Sequence, residues 1–328
     1  MAEENIVYHY CSISTFLTII KKKTLRLTNV LKSNDSLERK YAVEECENCI
    51  IDAILKCIQN YGTENIDLGH RRWDYEQCIR KSLTGAIQYY DERTIIAHAM
   101  CFSKEPDLLS QWRGYADDGR GVAIGFDRQI LEKFFKGKKH IDLVDIKYGE
   151  LDESFQKHLS EIARKNYEES ARKYGAESVI GNIDNTCKSL VCEIFLGEGL
   201  KYKKKAFIEE KEVRLMTQIP IEEFGSLMQT NANLFIENLK HEIQPLGLTY
   251  DFMARDNKIV SYFDIGFSDN ANNGKRVIEP EITRSFIKRI VIGPKADISV
   301  AEMAHVLKMV RGLGVTDNNI IKSNASYR

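Results

Sequence analysis

Ala206-Phe-Ile-Glu-Glu-Lys-Glu-Val-Arg-Leu-Met216 alternates residue by residue, and its reading sets the reading of the fold. The pattern predicts a strand. Phe207, Glu209, Lys211, Val213 and Leu215 fall on one face, and Ile208, Glu210, Glu212, Arg214 and Met216 on the other. Both faces are apolar at their ends and charged in the middle. Glu210, Glu212 and Arg214 therefore stand side by side. Like charges that close raise a carboxylate pKa, and a neighbouring arginine lowers it. Such a group suits a general base or a carboxylate that holds a sugar hydroxyl. The plainer alternative is a solvated edge strand with one ordinary ion pair.

Outward from this stretch, further strands are predicted at Ile6–Tyr10, Thr24–Thr28, Ile95–Ser103, Val122–Phe126, His140–Tyr148, Lys258–Phe263, Ile287–Gly293 and Asn319–Ser323. Helices are predicted at Thr15–Ile20, capped by Ser12 or Ser14, and from Glu38 through Cys57, interrupted at Tyr61-Gly62. Others run from Trp73 to about Tyr90, from Leu108 to Tyr115, through most of Asp152–Phe195, and from Val300 to Arg311 under a Ser299 cap. Ala116–Gly121 reads as a tight turn. Glu222–Met228 and Asn233–His241 read as helices or loops. The pattern implies one α+β domain spanning 1–328 with a mixed, split antiparallel sheet. Helical insertions fall at about 38–92 and about 152–200.

Composition narrows the function. The chain has 328 residues, with Lys+Arg 47 against Asp+Glu 48 and a formal net charge of -1. That balance gives no global field for nucleic acid or an anionic membrane. A hydrophobic content of 43% suffices for a core, and the mean hydropathy of -0.36 fits a soluble protein. Met1–Asn5 is acidic and lacks the form of a signal peptide, so a cytoplasmic location with reduced thiols is expected. No apolar run reaches membrane-span length. Of the eight cysteines, Cys46-Glu-Asn-Cys49 has zinc-knuckle spacing, but no second pair follows, and no metal is expected.

Phosphate-loop, GxGxxG, HExxH and GxSxG patterns are absent from the sequence. Weaker signals remain. His9 lies between Tyr8 and Tyr10 on a strand, where a histidine is more often packed than catalytic. Trp112 and Tyr115 are three apart and share a helix face, as a core ridge or as a stacking platform. Arg113 and Arg120 flank them. Asn34, Asp35 and Glu38 gather after a strand, in the pattern of an Asx turn that caps a helix. Lys201–Lys205 is a basic run that fits a solvated face or a polyanion. Together, Ser103, Trp112, Tyr115, Arg120, Glu210, Glu212 and Arg214 form a polar and aromatic set suited to a nucleotide-like ligand.

The order of motifs resembles a bacterial family. Tyr8-His-Tyr10, Leu25-Arg-Leu27, Asn34-Asp35-x-x-Glu38, Cys101-Phe-Ser103, Gln111-Trp-x-x-Tyr-Ala116, Gly121–Phe126, Phe207-x-x-Glu-x-Glu-x-Arg214, Ile290–Pro294 and Ser323-x-x-x-Tyr-Arg328 resemble domain-of-unknown-function family 2971. Family members often carry proline after Asn-Asp, where this chain has Ser36. The resemblance implies a cytosolic bacterial protein with a role in defence, and supplies no activity.

A looser likeness is to ADP-ribosyltransferases, which have a split-sheet α/β core. It implies NAD as a substrate. Glu210-Lys-Glu212 is similar to their Glu-x-Glu motif. His9 or Arg26 would be the early element and Ser103 or Tyr115 the middle one. By this likeness, Glu212 would hold the ribose hydroxyl beside nicotinamide and stabilise an oxocarbenium-like transition state. Arg214 would keep it ionised, and Glu210 would orient the acceptor. Tyr115 or Trp112 would stack on nicotinamide. His9 or Arg26 would contact ribose or phosphate, with Tyr10, Asn34, Asp35, Ser103 and Arg120 completing the ligand set. The expected activity is ADP-ribose transfer to a protein or nucleic-acid acceptor, in toxin action or phage defence. Two alternatives stand beside it: a non-catalytic nucleotide- or partner-binding module, and a metal-dependent nuclease using Asp35, Glu38, Glu210 and Glu212.

Overall fold

A computed structural model describes residues 5–30, 38–61, 68–92, 97–136, 141–149, 151–196, 198–218, 248–255, 257–266, 286–310, 313 and 315–326. Asn34, Asp35, 222–228 and 233–241 lie outside the described residues, so the expectations made there stay as they were. The chain divides into two compact units, one of residues 1–33, 97–146 and 207–328, the other of residues 34–96 and 147–206.

The first unit is built on a mixed, mainly antiparallel sheet of ten strands. They are β1 (Ile6–Cys11), β2 (Thr24–Asn29), β3 (Ala97–Ser103), β4 (Val122–Asp127), β5 (Ile141–Asp145), β8 (Glu212–Gln218), β9 (Leu248–Arg255), β10 (Lys258–Gly266), β11 (Ile287–Ile292) and β12 (Ile320–Lys322). The main path is β12-β11-β4-β1-β3-β2-β10-β9, with β8 joining β3 to β5. Only β11 and β12 are parallel among the described pairs of this sheet.

The sheet forks at β3. One edge of β3 pairs with β8 along its whole length, from Ala97↔Gln218 to Ser103↔Glu212. The other edge is shared. It meets β1 only at Tyr8↔Ser103, and β2 only at Thr28↔Ala99 and Asn29↔His98. Between these contacts Met100, Cys101 and Phe102 face the gap where β1 and β2 part. An unpaired backbone carbonyl there needs another partner. The Cys101 carbonyl finds one in His9 Nδ1, 2.9 Å away. Cys101 is the one exposed residue of β3; the other six are buried.

Helices cover both faces. α1 (Ile13–Lys22) starts at Ser12, whose hydroxyl accepts from the Thr15 amide, and buries Phe16, Ile19 and Ile20 at helical spacing. α4 (Leu109–Tyr115) lies on the face of Tyr8, Tyr10, Ala123 and Val291, with Trp112 at the centre of that cluster. On the other face Phe102 packs edge-to-face on Phe126, and Phe126 on Phe286. α5 (Arg128–Phe135), capped by Asp127, adds Phe134 to that chain of rings. α8 (Val300–Met309) opens with a full capping box at Ser299 and Glu302.

The second unit is helical. α2 (Glu38–Tyr61), α3 (Leu68–Glu92), α6 (Glu153–Tyr174) and α7 (Val179–Leu196) pack in the pairs α2–α6, α3–α7 and α6–α7. Their buried residues repeat at four-residue spacing: Ile50, Ile54 and Ile58 on α2, and Leu159, Ala163 and Tyr167 on α6. A two-residue parallel pair, β6 (Lys147–Tyr148) with β7 (Tyr202–Lys203), completes it. Segments 38–92 and 152–200 both fall in this unit.

The strand expected over 206–216 is shorter and later than its alternation suggests. Lys205–Glu210 is a 3₁₀ turn, and β8 starts only at Glu212. Lys211 joins them in the left-handed region at φ 43. Glu210 is thus not a strand neighbour of Glu212. α5 and β9 have no counterpart in the sequence reading.

Candidate functional site

The fork holds a cleft of about 50 Å³, lined by His9, Tyr10, Cys101, Phe102, Gln111, Tyr115, Glu210 and Glu212. A space of that size admits a few waters or a small polar group, since one water needs about 10–15 Å³ of such room.

Glu212 opens β8. Register places it opposite Ser103, and places Arg214 opposite Cys101, so both lie on the face of Tyr8 and Tyr10. Burial of the pair is nearly complete, with side-chain exposures of 5% for Glu212 and 4% for Arg214. The guanidinium grips both carboxylate oxygens. Nε donates to Oε1 at 2.6 Å and Nη2 to Oε2 at 3.0 Å. A fork-to-carboxylate contact of this kind fixes orientation as well as charge. The two-residue spacing of a strand makes the pair possible.

Glu210 reaches the same cleft by another route. The left-handed Lys211 turns the chain sharply between the 3₁₀ turn and β8. Ser103 then fastens the turn. Its buried hydroxyl donates to the Glu210 carbonyl at 2.7 Å and accepts from the Glu105 amide at 3.0 Å. The Lys211 carbonyl accepts from the Lys104 amide, and its ammonium pairs with Glu105.

The opposite wall is α4. Tyr10 supports the loop that leads into it: its hydroxyl donates to the Glu105 carbonyl at 2.8 Å and accepts from the Leu108 amide at 3.0 Å. Burial raises the Tyr10 pKa well above the usual phenol range. Trp112 is fully buried, edge-on to Tyr10 at 4.8 Å, with Nε1 donating to Asp107 Oδ1 at 2.7 Å. Gln111 and the 42% exposed Tyr115 extend from this helix to the cleft. At its far end the chain turns through left-handed Asp117, Asp118 and Gly119 to Gly121. A Cβ on Gly121 would stand 2.1 Å from the Cys11 carbonyl oxygen, so the close approach of α4 to β1 demands glycine there.

His9 lines the cleft from β1. Strand alternation puts it on the face opposite Tyr8 and Tyr10. The Cys101 carbonyl can only accept, so Nδ1 carries the hydrogen. Burial lowers the His9 pKa, and the ring packs edge-on to Phe102 at 6.0 Å.

Of the residues singled out from the sequence, the cleft gathers His9, Tyr10, Tyr115, Glu210 and Glu212, with Arg214 and Ser103 directly behind them. Others stand elsewhere. Arg26, on β2, forms a two-point ion pair with Asp264 and stacks over the Tyr262 ring at 3.6 Å. Arg120 pairs with Asp117 in the turn after α4. Trp112 is a core residue beneath α4, since a side chain with no exposed surface offers no face to a ligand. Cys101, Phe102 and Gln111 line the cleft without having been singled out for it. The Cys101-Phe-Ser103 and Gln111-Trp motifs were the available signal, and only the fork explains why Cys101, Phe102 and Gln111 line the cleft.

Among the described residues, no group of three or more His, Cys, Asp and Glu side chains is placed to hold a metal ion. No described helix is long and apolar enough to cross a membrane. The resemblance to the bacterial family holds over part of the chain: residues 111–215 match the family model described as Protein of unknown function (DUF2971). That stretch runs from α4 through Glu210, Glu212 and Arg214. No curated protein and no solved structure matches the chain.

Proposed function

We propose that the fork is an ADP-ribosyltransferase-type site that cleaves NAD and passes ADP-ribose to an acceptor. One observation carries the reading: Glu210, Glu212 and Tyr115, brought from separate elements, meet in one cleft with Arg214 clamped on Glu212. The split antiparallel sheet around them agrees with the same likeness. The small, partly open volume suits the ribose hydroxyl edge, and the rest of the dinucleotide would lie along the open surface.

In this reading Glu212 accepts a hydrogen bond from the ribose 2′-hydroxyl next to nicotinamide. The bond from ribose C1′ to the pyridinium nitrogen breaks. Its electron pair leaves with neutral nicotinamide, and positive charge develops on the ribose ring. A fixed carboxylate nearby stabilises that charge most when the site excludes water. Tyr115 packs against the departing ring. An acceptor nucleophile then adds to C1′ and releases a proton, for which Glu210 is the candidate base.

The test is incubation of the purified protein with NAD and a cell lysate. Nicotinamide release and label transfer are followed by mass spectrometry. Release by the wild type that falls at least a hundredfold in a Glu212→Gln preparation that circular dichroism shows to be folded supports the assignment. Undiminished release in that variant removes it. Absence of release by the folded wild type favours a non-catalytic nucleotide- or partner-binding module.

A further inference from the structure

We propose that Asp107 is a positioning residue, a clasp that couples the segment Ser323–Ala325 to the α4 wall of the cleft. The inference rests on the cleft being the working site.

α4 cannot hold its own position. It has only seven residues, includes Gly114, and its N-cap Leu108 makes no side-chain cap bond. Isolated helices need about 12–15 residues to be even marginal in water. Its placement must come from ties to neighbouring structure, and Asp107 joins three hydrogen bonds at one of them. Oδ1 accepts from Trp112 Nε1 at 2.7 Å and from the Ser323 hydroxyl. Oδ2 accepts from the Asn324 amide at 2.7 Å. The Ser323 hydroxyl in turn accepts from the Ala325 amide at 3.0 Å, and Ala325 packs against the cluster around Trp112. The Ser323 amide donates to the Ile292 carbonyl at 2.8 Å. One carboxylate thus ties α4 to a segment that is itself fastened to β11.

The chemistry is specific to a carboxylate. Three donors converge on it from two sides, and only an acceptor-only group can meet all three. In Asp107→Asn the amide NH₂ must face at least one of those donors. The loss reaches the cleft through Trp112, because Gln111 and Tyr115 flank it on the same short helix. Ser323, one of the three donors, is the first residue of the Ser323-x-x-x-Tyr-Arg stretch.

The experiment is hydrogen exchange by mass spectrometry on wild type, Asp107→Asn and Ser323→Ala, with nicotinamide release measured on the same samples. The expected result is exchange at least tenfold faster over Leu109–Tyr115 in Asp107→Asn and about threefold faster in Ser323→Ala. Exchange over Val122–Asp127 stays unchanged, and KM for NAD rises while thermal midpoints stay close to wild type. Ser323→Ala leaves the Asp107 carboxylate in place and removes only the two bonds of the Ser323 hydroxyl, to Asp107 and from the Ala325 amide, so it decides the matter if Asp107→Asn does not fold. Unchanged exchange over Leu109–Tyr115, or an equal rise in Val122–Asp127, would overturn the clasp. Faster helix exchange with unaltered release would overturn its coupling to the cleft. If the wild type releases no nicotinamide, the NAD reading fails by itself and exchange alone judges the clasp.

Discussion

Glu212 and Arg214 show how much one pair of side chains can decide. Removing one partner of a buried ion pair leaves an uncompensated charge, which typically costs 3–5 kcal/mol. Arg214→Met should therefore lower unfolding stability by about 3 kcal/mol or more in urea titrations. The double variant Glu212→Gln/Arg214→Met should recover much of that loss, because neither charge remains. A double variant as unstable as the single one would mean that the pair is not the source of the cost. The pair was legible in the sequence, since an i, i+2 spacing on a strand puts two side chains on one face. Glu210 was legible as a neighbour of Glu212 but for the wrong reason. Alternation cannot reveal a left-handed residue between two charges, and Lys211 is not a residue type that announces one. His9 was weighed as packed or catalytic. Its bond to the Cys101 carbonyl depends on a strand 92 residues away, which no local pattern encodes.

At the level of elements, the junction at Lys211 is the most exacting. The left-handed region costs an ordinary residue about 1–2 kcal/mol, and a β-branched side chain fits it worst. Lys211→Ile should cost about 2 kcal/mol in thermal or urea unfolding and disturb the cleft. Lys211→Gly should stay within about 1 kcal/mol of wild type, because glycine takes that conformation freely while an exposed ion pair with Glu105 contributes little. Equal losses in the two variants would show that the ion pair, not the backbone, governs the junction. Strands such as β4, β10 and β11 were plain in the sequence as apolar runs bounded by turn residues. β9 was not, because its exposed polar and apolar residues give no clear period. α5 was missed although Asp127 caps it, because its eight residues follow directly on a strand and offer barely two turns of pattern.

Across the whole sheet of the first unit, a line of buried polar residues crosses four strands. Ser261 on β10 bonds Asn29 on β2, Asn29 pairs with His98 on β3, and His98 pairs with Thr217 on β8. His98 Nε2 also meets the Ser261 hydroxyl at 2.9 Å, while Nδ1 has no hydrogen-bond partner among the described residues. Burial pushes the His98 pKa down to about 3. The unfolded chain then binds a proton near pH 6.5 that the folded protein refuses, so stability is full above pH 6.5 and declines as pH falls toward 3. At pH 5 this single group should cost about 2 kcal/mol. Urea unfolding at pH 7 and pH 5 checks it: His98→Gln should show a pH loss smaller than wild type by about that amount, and an identical loss would refute the assignment. The strand order of this sheet has a consequence for synthesis. β2 ends at Asn29, but its partner β10 ends only at Gly266. At roughly 5–20 residues per second, a ribosome needs on the order of 10–50 s to deliver the second strand after the first. For that interval the nascent chain carries β2 with one flank bare, a standing invitation to a neighbouring polysome or to a chaperone.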